Sequence, residues 1–360
     1  ISLLDVMGKM YEKVCANRAM AMQVHLAEGQ GIHAEQMGFN PGHSADDALF
    51  SLIEGVKYNR NCGRKVIALS LDAKKAYPSM SRGKMLQCVR KMGYGGNLLQ
   101  AVSSTYVNNQ SAVMGAGAER SDMYAVKDGL REGAVLSPML YNIFVASLIS
   151  ELKKPEHKKL GMHVGEIWAG AQTWADDIVI VVADDEVGEA RKQMAALMEV
   201  ATAWAKDNGV TFSTDETEGP GKGKSKVVTF GANTPARHKW TLGTNARSFK
   251  YLGTTINDKL TWNEHVLDRI GAGGQKLWAV RRLAKNNGIA VEVCEDRWRS
   301  TVPPTVLHGM ASTNMAHSWG ALESEYGKGA KACLGMHRLA SGHIACNELG
   351  WMPPQAHVDI

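Results

Sequence analysis

The spacing of apolar residues divides the first part of the chain into helices and a strand. Near the start, apolar residues recur every three or four positions, which predicts a helix; they are Leu3, Leu4, Met7, Met10, Tyr11 and Val14. A second helix is predicted over residues 44–59, with Ser44 as its N-cap. The run Lys65–Asp72 is apolar, β-branched and of strand length, so it predicts a buried strand that ends on a carboxylate.

The middle of the chain alternates between strand and helix patterns. Ser79 is predicted to cap a helix that reaches Met92, and a strongly apolar helix is predicted over residues 139–152. A long amphipathic helix follows at 185–208. Strand patterns occupy residues 111–114, 123–126, 165–169, 178–182 and 226–230. This order of strands and helices predicts an α+β fold.

From residue 263 onward the pattern is mostly helical. Pro303-Pro304 and Pro353-Pro354 are predicted to break these helices, because proline lacks the backbone donor and clashes with the preceding turn. We therefore expect an α-helical appendage after the α+β part of the chain.

Charge and cysteine content narrow the class of protein. The 360 residues are enough for more than one domain, and the net charge of +5 is compatible with a polyanionic partner. Six cysteines without framework spacing indicate free thiols, so we expect an intracellular protein that is not secreted. No apolar stretch approaches the roughly 18 residues that span a bilayer, so we expect no membrane partner. Because Ile1 lies inside a predicted helix, we expect the chain to be part of a longer polyprotein.

Three aspartates are the candidates for chemistry. Asp72 ends an apolar strand, and Asp176-Asp177 comes directly before the apolar run Ile178–Val182. Carboxylates at the tips of buried strands need a partner to offset their desolvation, and two adjacent ones repel each other unless a cation neutralises them. Magnesium prefers such hard oxygen ligands. Two ions held between the strands would support phosphoryl transfer.

An adjacent pair of aspartates is more often structural. Asp184-Asp185 precedes a predicted helix, where it would cap the first turn, and Asp46-Asp47 lies in the first turn of another helix. The pattern alone therefore leaves both readings of Asp176-Asp177 open, and the surrounding motifs have to decide between them.

Six segments, taken in order, resemble the motifs of reverse transcriptases of the non-LTR retrotransposon and group II intron type. The two finger segments are ISLLDVMGKMYEKVCANR and EQMGFNPGHSADDALFSL, and LSLDAKKAYPSM is similar to motif A. The remaining matches are LREGAVLSPMLYNIFVASL to motif B, WADDIVIV to motif C, and FKYLGTTINDKLTWNEHV to the motif that closes the palm. The tail segments VPPTVLHGM and ELGWMPP resemble the thumb and the segment that follows it.

The resemblance implies a right-hand polymerase fold. We expect partial fingers at residues 1–64, a ferredoxin-like antiparallel-sheet palm with inserted finger elements at 65–257, and an α-helical thumb and post-thumb segment at 258–360. It also implies roles for single residues. The expected metal ligands are Asp72, Asp176 and Asp177, and the expected nucleotide-binding residues are Ala73, Tyr77, Gly133 and Lys224.

Among these, Tyr77 matches the aromatic gate that excludes a 2′-hydroxyl, with a core aromatic as the alternative, and Gly133 matches the glycine that admits the nucleotide. Lys224 matches the lysine that meets the pyrophosphate, with Lys222 and Lys226 as neighbours in the same loop. Departures from the family pattern occur at Asn40, His43, Pro78, Glu132 and Trp174.

A second group of residues is a candidate nucleic-acid contact. Cations and an aromatic residue share the first predicted helix of the appendage: Lys276, Trp278, Arg281 and Arg282. In the thumb that the resemblance implies, they would face a hybrid duplex.

The function that the resemblance implies is RNA-directed DNA polymerisation by a non-LTR retrotransposon enzyme. We expect two Mg²⁺ ions, with Mn²⁺ as an alternative, an RNA template, a DNA primer and dNTPs, and nuclear location during target-primed synthesis. The competing hypothesis is a catalytically silent remnant that binds RNA, which the altered finger residues favour. A nucleotide cyclase with a similar palm is the third hypothesis, but it would not explain the thumb segments.

Overall fold

A computed structural model of the chain describes residues 4–27, 30–115, 119–231, 238–285, 289–313 and 319–358. The chain divides into two compact units. Unit 1 comprises Ile1–Ser44 and Glu54–Arg247, and unit 2 comprises Ala45–Ile53 and Ser248–Ile360. The boundaries of fingers, palm and thumb expected at residues 64 and 257 stay a prediction.

Unit 1 is built around a five-stranded sheet in the order β6-β7-β1-β8-β9. Its strands are β1 (Lys65–Asp72), β6 (Ala171–Trp174), β7 (Asp177–Asp184), β8 (Lys226–Phe230) and β9 (Thr244–Asn245). β1 pairs antiparallel with both β7 and β8. Two short hairpins accompany the sheet: β2 (Gln110–Ser111) with β3 (Tyr124–Ala125), and β4 (His163–Val164) with β5 (Ile167–Trp168).

Helices cover the sheet and form the core of unit 1. They are α1 (Val6–Gln23), α3 (Arg82–Lys91), α4 (Gly96–Ser104), α5 (Ser137–Leu152), α6 (Pro155–Lys158), α7 (Val187–Asn208) and α8 (Asp215–Glu218). Helix α2 (Ala45–Asn61) contributes residues to both units. α5 is buried along nearly its whole length, because its apolar residues face both the sheet and α7, where Phe144 and Trp204 have ring centroids 5.3 Å apart. The mixed architecture confirms the predicted α+β class.

Two local predictions in unit 1 are wrong. The helix predicted from Ser79 begins at Arg82 instead, because the Ser79 hydroxyl donates to the carbonyls of Lys74 and Lys75 and closes a turn. The single strand predicted at residues 165–169 is the hairpin β4–β5. Gly165 has φ +59° and reverses the chain there, a conformation that glycine adopts without steric cost.

Unit 2 contains a hairpin followed by helices. The hairpin pairs β10 (Ser248–Tyr251) with β11 (Thr254–Asn257). The helices are α9 (Asn263–Ala284), α10 (Val291–Val306), α11 (Trp319–Cys333) and α12 (Gly342–Glu348), with a 3₁₀ turn at Pro354–His357. The helical appendage is confirmed. None of the helices in the described parts of the chain is long and apolar enough to cross a membrane.

The two proline pairs behave differently. Pro353 is extended and precedes the 3₁₀ turn, as predicted. Pro303 and Pro304 do not break α10 but lie in its last turn, and the Leu307 N–H still donates to the Pro303 carbonyl at 2.8 Å. Each proline removes one hydrogen bond to the preceding turn, and α10 ends at Val306, directly after the pair.

Candidate active site

The three predicted metal ligands lie at one end of the sheet in unit 1. The antiparallel register of β1 and β7 places Asp72 directly opposite Asp177. β6 pairs with β7 through Trp174 and Asp177, so that Ala175 and Asp176 form a two-residue turn at the same end. The strand pairing therefore brings together carboxylates that are far apart in the sequence.

Electrostatic repulsion couples these carboxylates. Burial and, to a smaller extent, repulsion from Asp176 and Asp72 together raise the pKa of Asp177 to about 6. Burial also raises the pKa of Asp72; Lys224 opposes that shift, whereas Asp176 and Glu218 reinforce it. A raised carboxyl pKa means that the ionised form is disfavoured at this site. A bound cation would therefore stabilise the ionised carboxylates.

The donor set fits a hard divalent ion. Asp72 and Asp177 are half-buried and Asp176 is exposed, so all three supply carboxylate oxygens at an accessible edge. The Lys224 ammonium already places a cation 3.9 Å from Asp72 Oδ2. Within the described ranges, no three acidic, histidine or cysteine side chains converge closely enough to enclose an ion.

Backbone contacts fix the end of β1. The Asp72 N–H donates to Ser225 Oγ at 3.2 Å, and the Ser213 N–H donates to the Asp72 carbonyl at 2.8 Å. Both serines are buried. Because the Lys224 N–H also donates to Ser213 Oγ at 3.2 Å, the same contacts hold the lysine loop beside Asp72.

The three lysines of that loop differ in what they contact. Lys224 extends to Asp72 and its side chain remains 73% exposed. Lys226 Nζ donates to the Gly223 carbonyl at 2.7 Å and to Thr244 Oγ1 at 3.1 Å, so its ammonium is already bound by the loop and by β9. Lys222 is exposed. Among the three, the geometry favours Lys224 as the cation of the site.

Tyr77 lies against α5, the helix that the motif B segment forms. Its ring stacks on Tyr141 of α5, with centroids 5.0 Å apart and planes 12° from parallel. Burial, with smaller contributions from Asp176 and Glu132, raises the pKa of Tyr77 to about 12, so the phenol stays neutral at physiological pH. The Leu130 N–H donates to the Tyr77 carbonyl at 2.8 Å, which ties the residue to the motif B segment.

The other two predicted nucleotide-binding residues are Gly133 and Ala73. Gly133 is exposed and has φ +91°, a conformation that residues with a side chain rarely adopt. Ala73 forms an isolated antiparallel bridge with Phe212, directly after Asp72. Both positions are thus fixed by backbone geometry.

Sequence reasoning missed a buried glutamine behind the aspartate turn. Gln36 is 0% exposed, and its Oε1 accepts hydrogen bonds from the Ala175 and Gly38 amides, each at 3.2 Å. Asn142 Nδ2 donates to the Gly38 carbonyl at 2.6 Å. One indication in the sequence is that Gln36 and Gly38 belong to the second finger motif, EQMGFNPG. The sequence does not reveal which segment that motif contacts in the fold.

The predicted nucleic-acid contacts lie on α9 in unit 2. Trp278 is 62% exposed, and the Arg282 guanidinium lies 5.7 Å from the centre of its ring. Arg281 lines a cavity of about 480 Å³ together with other cations, which are Lys285, Lys328, Lys331 and Arg338. Of these, Lys328 pairs with Glu325, and Lys331 donates to backbone carbonyls. The remaining charges form a basic groove, defined here as Arg281, Lys285 and Arg338.

Comparisons with known proteins identify the family to which the chain is similar. Residues 1–256 match the family model described as reverse transcriptase (RNA-dependent DNA polymerase). The chain is 24% identical over 311 residues to the RNA-directed DNA polymerase from mobile element jockey of Drosophila funebris, covering 81% of the chain and 31% of that relative. It is 23% identical over 276 residues to the probable RNA-directed DNA polymerase from transposon BS of Drosophila melanogaster, covering 74% of the chain and 28% of that relative.

A solved telomerase from Candida tropicalis, in complex with a fragment of telomeric RNA, aligns with 88% of the chain and 47% of its own length, at 9% identity and a TM-score of 0.47. The chain spans less than a third of the length of the two mobile-element relatives.

Proposed function

The chain belongs to the reverse transcriptase family, in its non-LTR retrotransposon branch, and from this we propose that it copies RNA into DNA. The family has a right-hand polymerase fold, which agrees with the mixed sheet and helices of unit 1. The observation that carries the proposal is the register of β1 and β7, which sets Asp72 opposite Asp177 with Asp176 in the adjoining turn. The proposed reaction extends the 3′-hydroxyl of a DNA primer with dNTPs on an RNA template.

Reverse transcriptases use divalent metal ions, and we propose two Mg²⁺ ions here, with Mn²⁺ as an alternative. Asp72, Asp176 and Asp177 would hold them. Bound there, the ions would activate the attacking hydroxyl and stabilise the departing pyrophosphate. The carboxylates themselves supply the negative charge that fixes the cations at the end of the sheet. Most of the catalysis in phosphoryl transfer comes from such positioning and charge neutralisation.

The residues around the aspartates would orient the nucleotide. Tyr77, supported from behind by Tyr141, would form a wall under the sugar and reject a 2′-hydroxyl. Gly133 would let the nucleotide approach the backbone, and the Ala73 carbonyl would face the metal site. Lys224, released from Asp72 when cations bind, would be free to neutralise the pyrophosphate.

RNA template binding is supported by the family match and by the basic residues of unit 2. The mobile-element relatives are much longer than the chain, which supports its place in a larger polyprotein. We propose that residues 1–64, 65–257 and 258–360 act as fingers, palm and thumb. We also propose that synthesis takes place in the nucleus, primed at the target DNA.

A primer-extension assay on an RNA template tests this function. Asp176→Asn is expected to lower the rate by on the order of 10³-fold, because metal placement contributes several kcal/mol to the transition state. Hybrid binding should stay nearly unchanged, since phosphate contacts elsewhere dominate affinity. The control is Asp185→Asn. Asp185 belongs to the other pair of consecutive aspartates, Asp184-Asp185, at the end of β7 opposite Asp177, and this variant should extend primers at the wild-type rate.

The competing function is an RNA-binding chain without polymerase activity, which the finger residues Asn40 and His43 favour because they depart from the family pattern. Tight RNA binding by a wild-type chain that does not extend a primer with either metal would establish that alternative. Equal loss of binding and activity in Asp176→Asn would instead show Asp176 to be structural.

A further inference from the structure

The turn that carries Asp176 has an unusual conformation. Ala175 has φ +53°, in the left-handed region that residues other than glycine, asparagine and aspartate seldom adopt. It is also buried, at 5% exposure. Alanine has no side-chain group that could stabilise this conformation, so contacts from elsewhere must hold the turn in place.

Gln36 supplies that contact. Its Oε1 accepts from the Ala175 amide, and the two residues are 139 positions apart in the sequence. The segment around Gln36 also runs along β6: the Met37 N–H donates to the Thr173 carbonyl at 3.0 Å, and the Thr173 N–H donates to the Glu35 carbonyl at 2.8 Å. The finger segment thus forms a single parallel bridge to β6, between Gln36 and Thr173, close to the turn.

The packing at this point leaves little freedom. A Cβ on Gly38 would lie 2.8 Å from the Ala175 nitrogen and 3.1 Å from the Trp174 carbonyl carbon, both of them backbone atoms. Asn142 of α5, 1% exposed, holds the Gly38 carbonyl from the other side. The turn is therefore fixed between the finger segment and the central helix.

We propose that Gln36 is a positioning residue for catalysis, which acts by fixing the left-handed Ala175 and so the direction in which Asp176 and Asp177 project. This inference rests on the proposed function for its kinetic consequence, but its structural part does not. Gln36 touches no reacting atom. Its effect passes through the Ala175 amide to the carboxylate on the next residue.

The test compares Gln36→Met with Gln193→Met. Methionine keeps the volume of glutamine and removes the acceptor. Gln193 likewise hydrogen-bonds β7, through Asp184 Oδ2 at 2.8 Å, but at the end opposite the turn. Gln36→Met is expected to lower kcat by about 10- to 100-fold, the effect of a misplacement of order 1 Å, with little change in the KM for dNTP. Gln193→Met should leave kcat close to that of the wild type.

A rescue experiment separates positioning from general destabilisation. Ala175→Gly removes the steric cost of the left-handed conformation. If Gln36 acts through that conformation, the double variant Gln36→Met, Ala175→Gly should lose clearly less activity than the two single variants predict together. Additive losses would overturn the mechanism.

Hydrogen exchange provides a measurement that does not depend on activity. The peptide that spans Trp174 to Asp177 should exchange faster in Gln36→Met than in the wild type or in Gln193→Met. Unchanged exchange with unchanged kcat would overturn the inference. A wild-type chain without polymerase activity would refute the proposed function but not the positioning of the turn, which exchange alone then decides.

If Gln36→Met does not fold, Gly38→Ala takes its place. The added methyl group presses on the Ala175 amide from the same side, so kcat should fall and the turn should exchange faster. Normal kcat and normal exchange in a folded Gly38→Ala protein would overturn the inference.

Discussion

At the level of single residues, the candidate site is defined by three carboxylates that repel one another and that a bound cation would neutralise. Asp177 is half-buried beside two further carboxylates, and its pKa is raised to about 6 as a result. Lys224 partly relieves Asp72 at 3.9 Å. Because the Lys224 side chain is exposed, its ion pair with Asp72 is weak in water. Bound metal ions could therefore displace the lysine at little cost in free energy.

The ring of Tyr77 should control which sugar the site accepts. Tyr77→Ala removes the wall that rests on Tyr141, so ribonucleotides should compete better with deoxyribonucleotides. We expect discrimination against the 2′-hydroxyl to fall by about 10- to 100-fold, the range that a steric pocket typically supplies. The measurement is the ratio of kcat/KM for a dNTP and the matching rNTP.

Tyr77→Phe is the matched control, because it keeps the ring and its stack and removes only the hydroxyl. It should discriminate like the wild type. An unchanged ratio in Tyr77→Ala would assign this tyrosine to the core of unit 1 instead.

The sequence allowed some of these residues to be predicted and not others, for a physical reason. Asp72 is the last residue of one apolar strand and Asp177 the first residue of another, and a carboxylate at the tip of a buried strand is visible in a local pattern. Gln36 is not, because its importance comes from a contact with Ala175 that only the fold creates. Gln36 is fully buried, but nothing in the sequence around it indicates that a polar side chain in this loop motif is buried.

At the level of elements, close helix packing in unit 2 explains only one of the two adjacent glycines in α9. A Cβ on Gly273 would lie 2.2 Å from Val306 Cγ2 of α10, whereas one on Gly274 would meet nothing within 4 Å. Val306 is buried and β-branched, so it has little freedom to move aside. The two positions should respond oppositely to the same substitution.

We expect Gly273→Ala to destabilise unit 2 by about 1–3 kcal/mol through overpacking. Gly274→Ala should stabilise it by up to about 1 kcal/mol, because alanine is the better helix former. Denaturant unfolding of both variants measures the difference. The same sign of change in both would mean that α9 and α10 do not pack through Gly273.

A buried histidine gives unit 2 a dependence on pH. The Thr255 N–H donates to His265 Nδ1 at 3.4 Å, and His265 Nε2 lies 3.0 Å from the His308 carbonyl, so the ring is held neutral with its proton on Nε2. Burial lowers the pKa of His265; the hydrogen bond to His308 opposes the shift, and Arg269 adds to it.

A lowered pKa in the folded state means that the unfolded state binds the proton more readily. Stability should therefore be full above the unfolded value of about 6.5 and fall as the pH drops below it. Thermal denaturation midpoints between pH 8 and pH 5 measure this slope. His265→Gln should flatten it, while His343→Gln, at an exposed position, is the control. An equal slope in the wild type and in His265→Gln would assign the acid sensitivity to other groups.

Predictability also differed between elements. β1 and β8 were predicted with the observed limits, Lys65–Asp72 and Lys226–Phe230, because continuous β-branched runs specify central strands. The start of α3 was misplaced, since a serine can close a turn as readily as it caps a helix. The prolines of α10 were misjudged because their effect depends on how near the helix end they lie.

At the level of the whole molecule, the family, the α+β class and the helical tail followed from the sequence, because ordered motifs and periodicity are properties of the chain itself. The order of strands in the sheet did not. β6-β7-β1-β8-β9 joins segments that are distant in the sequence, and periodicity does not say which strands become neighbours. The sequence also did not predict that α2 is divided between the two units.

The chain carries a net charge of +5, and the basic groove of unit 2 contributes part of it. If the basic groove of unit 2 holds RNA phosphates, binding should release counterions there and weaken as salt rises. Replacing Arg281 and Lys285 together by Gln should reduce the slope of log K against log salt by about 2, roughly 1 for each lost phosphate contact. The control removes the same charge at Lys192 and Arg299, each paired with a glutamate of its own helix. Equal changes of slope in both double variants would show that RNA responds to net charge alone. A smaller change in the control would locate the RNA backbone at the groove.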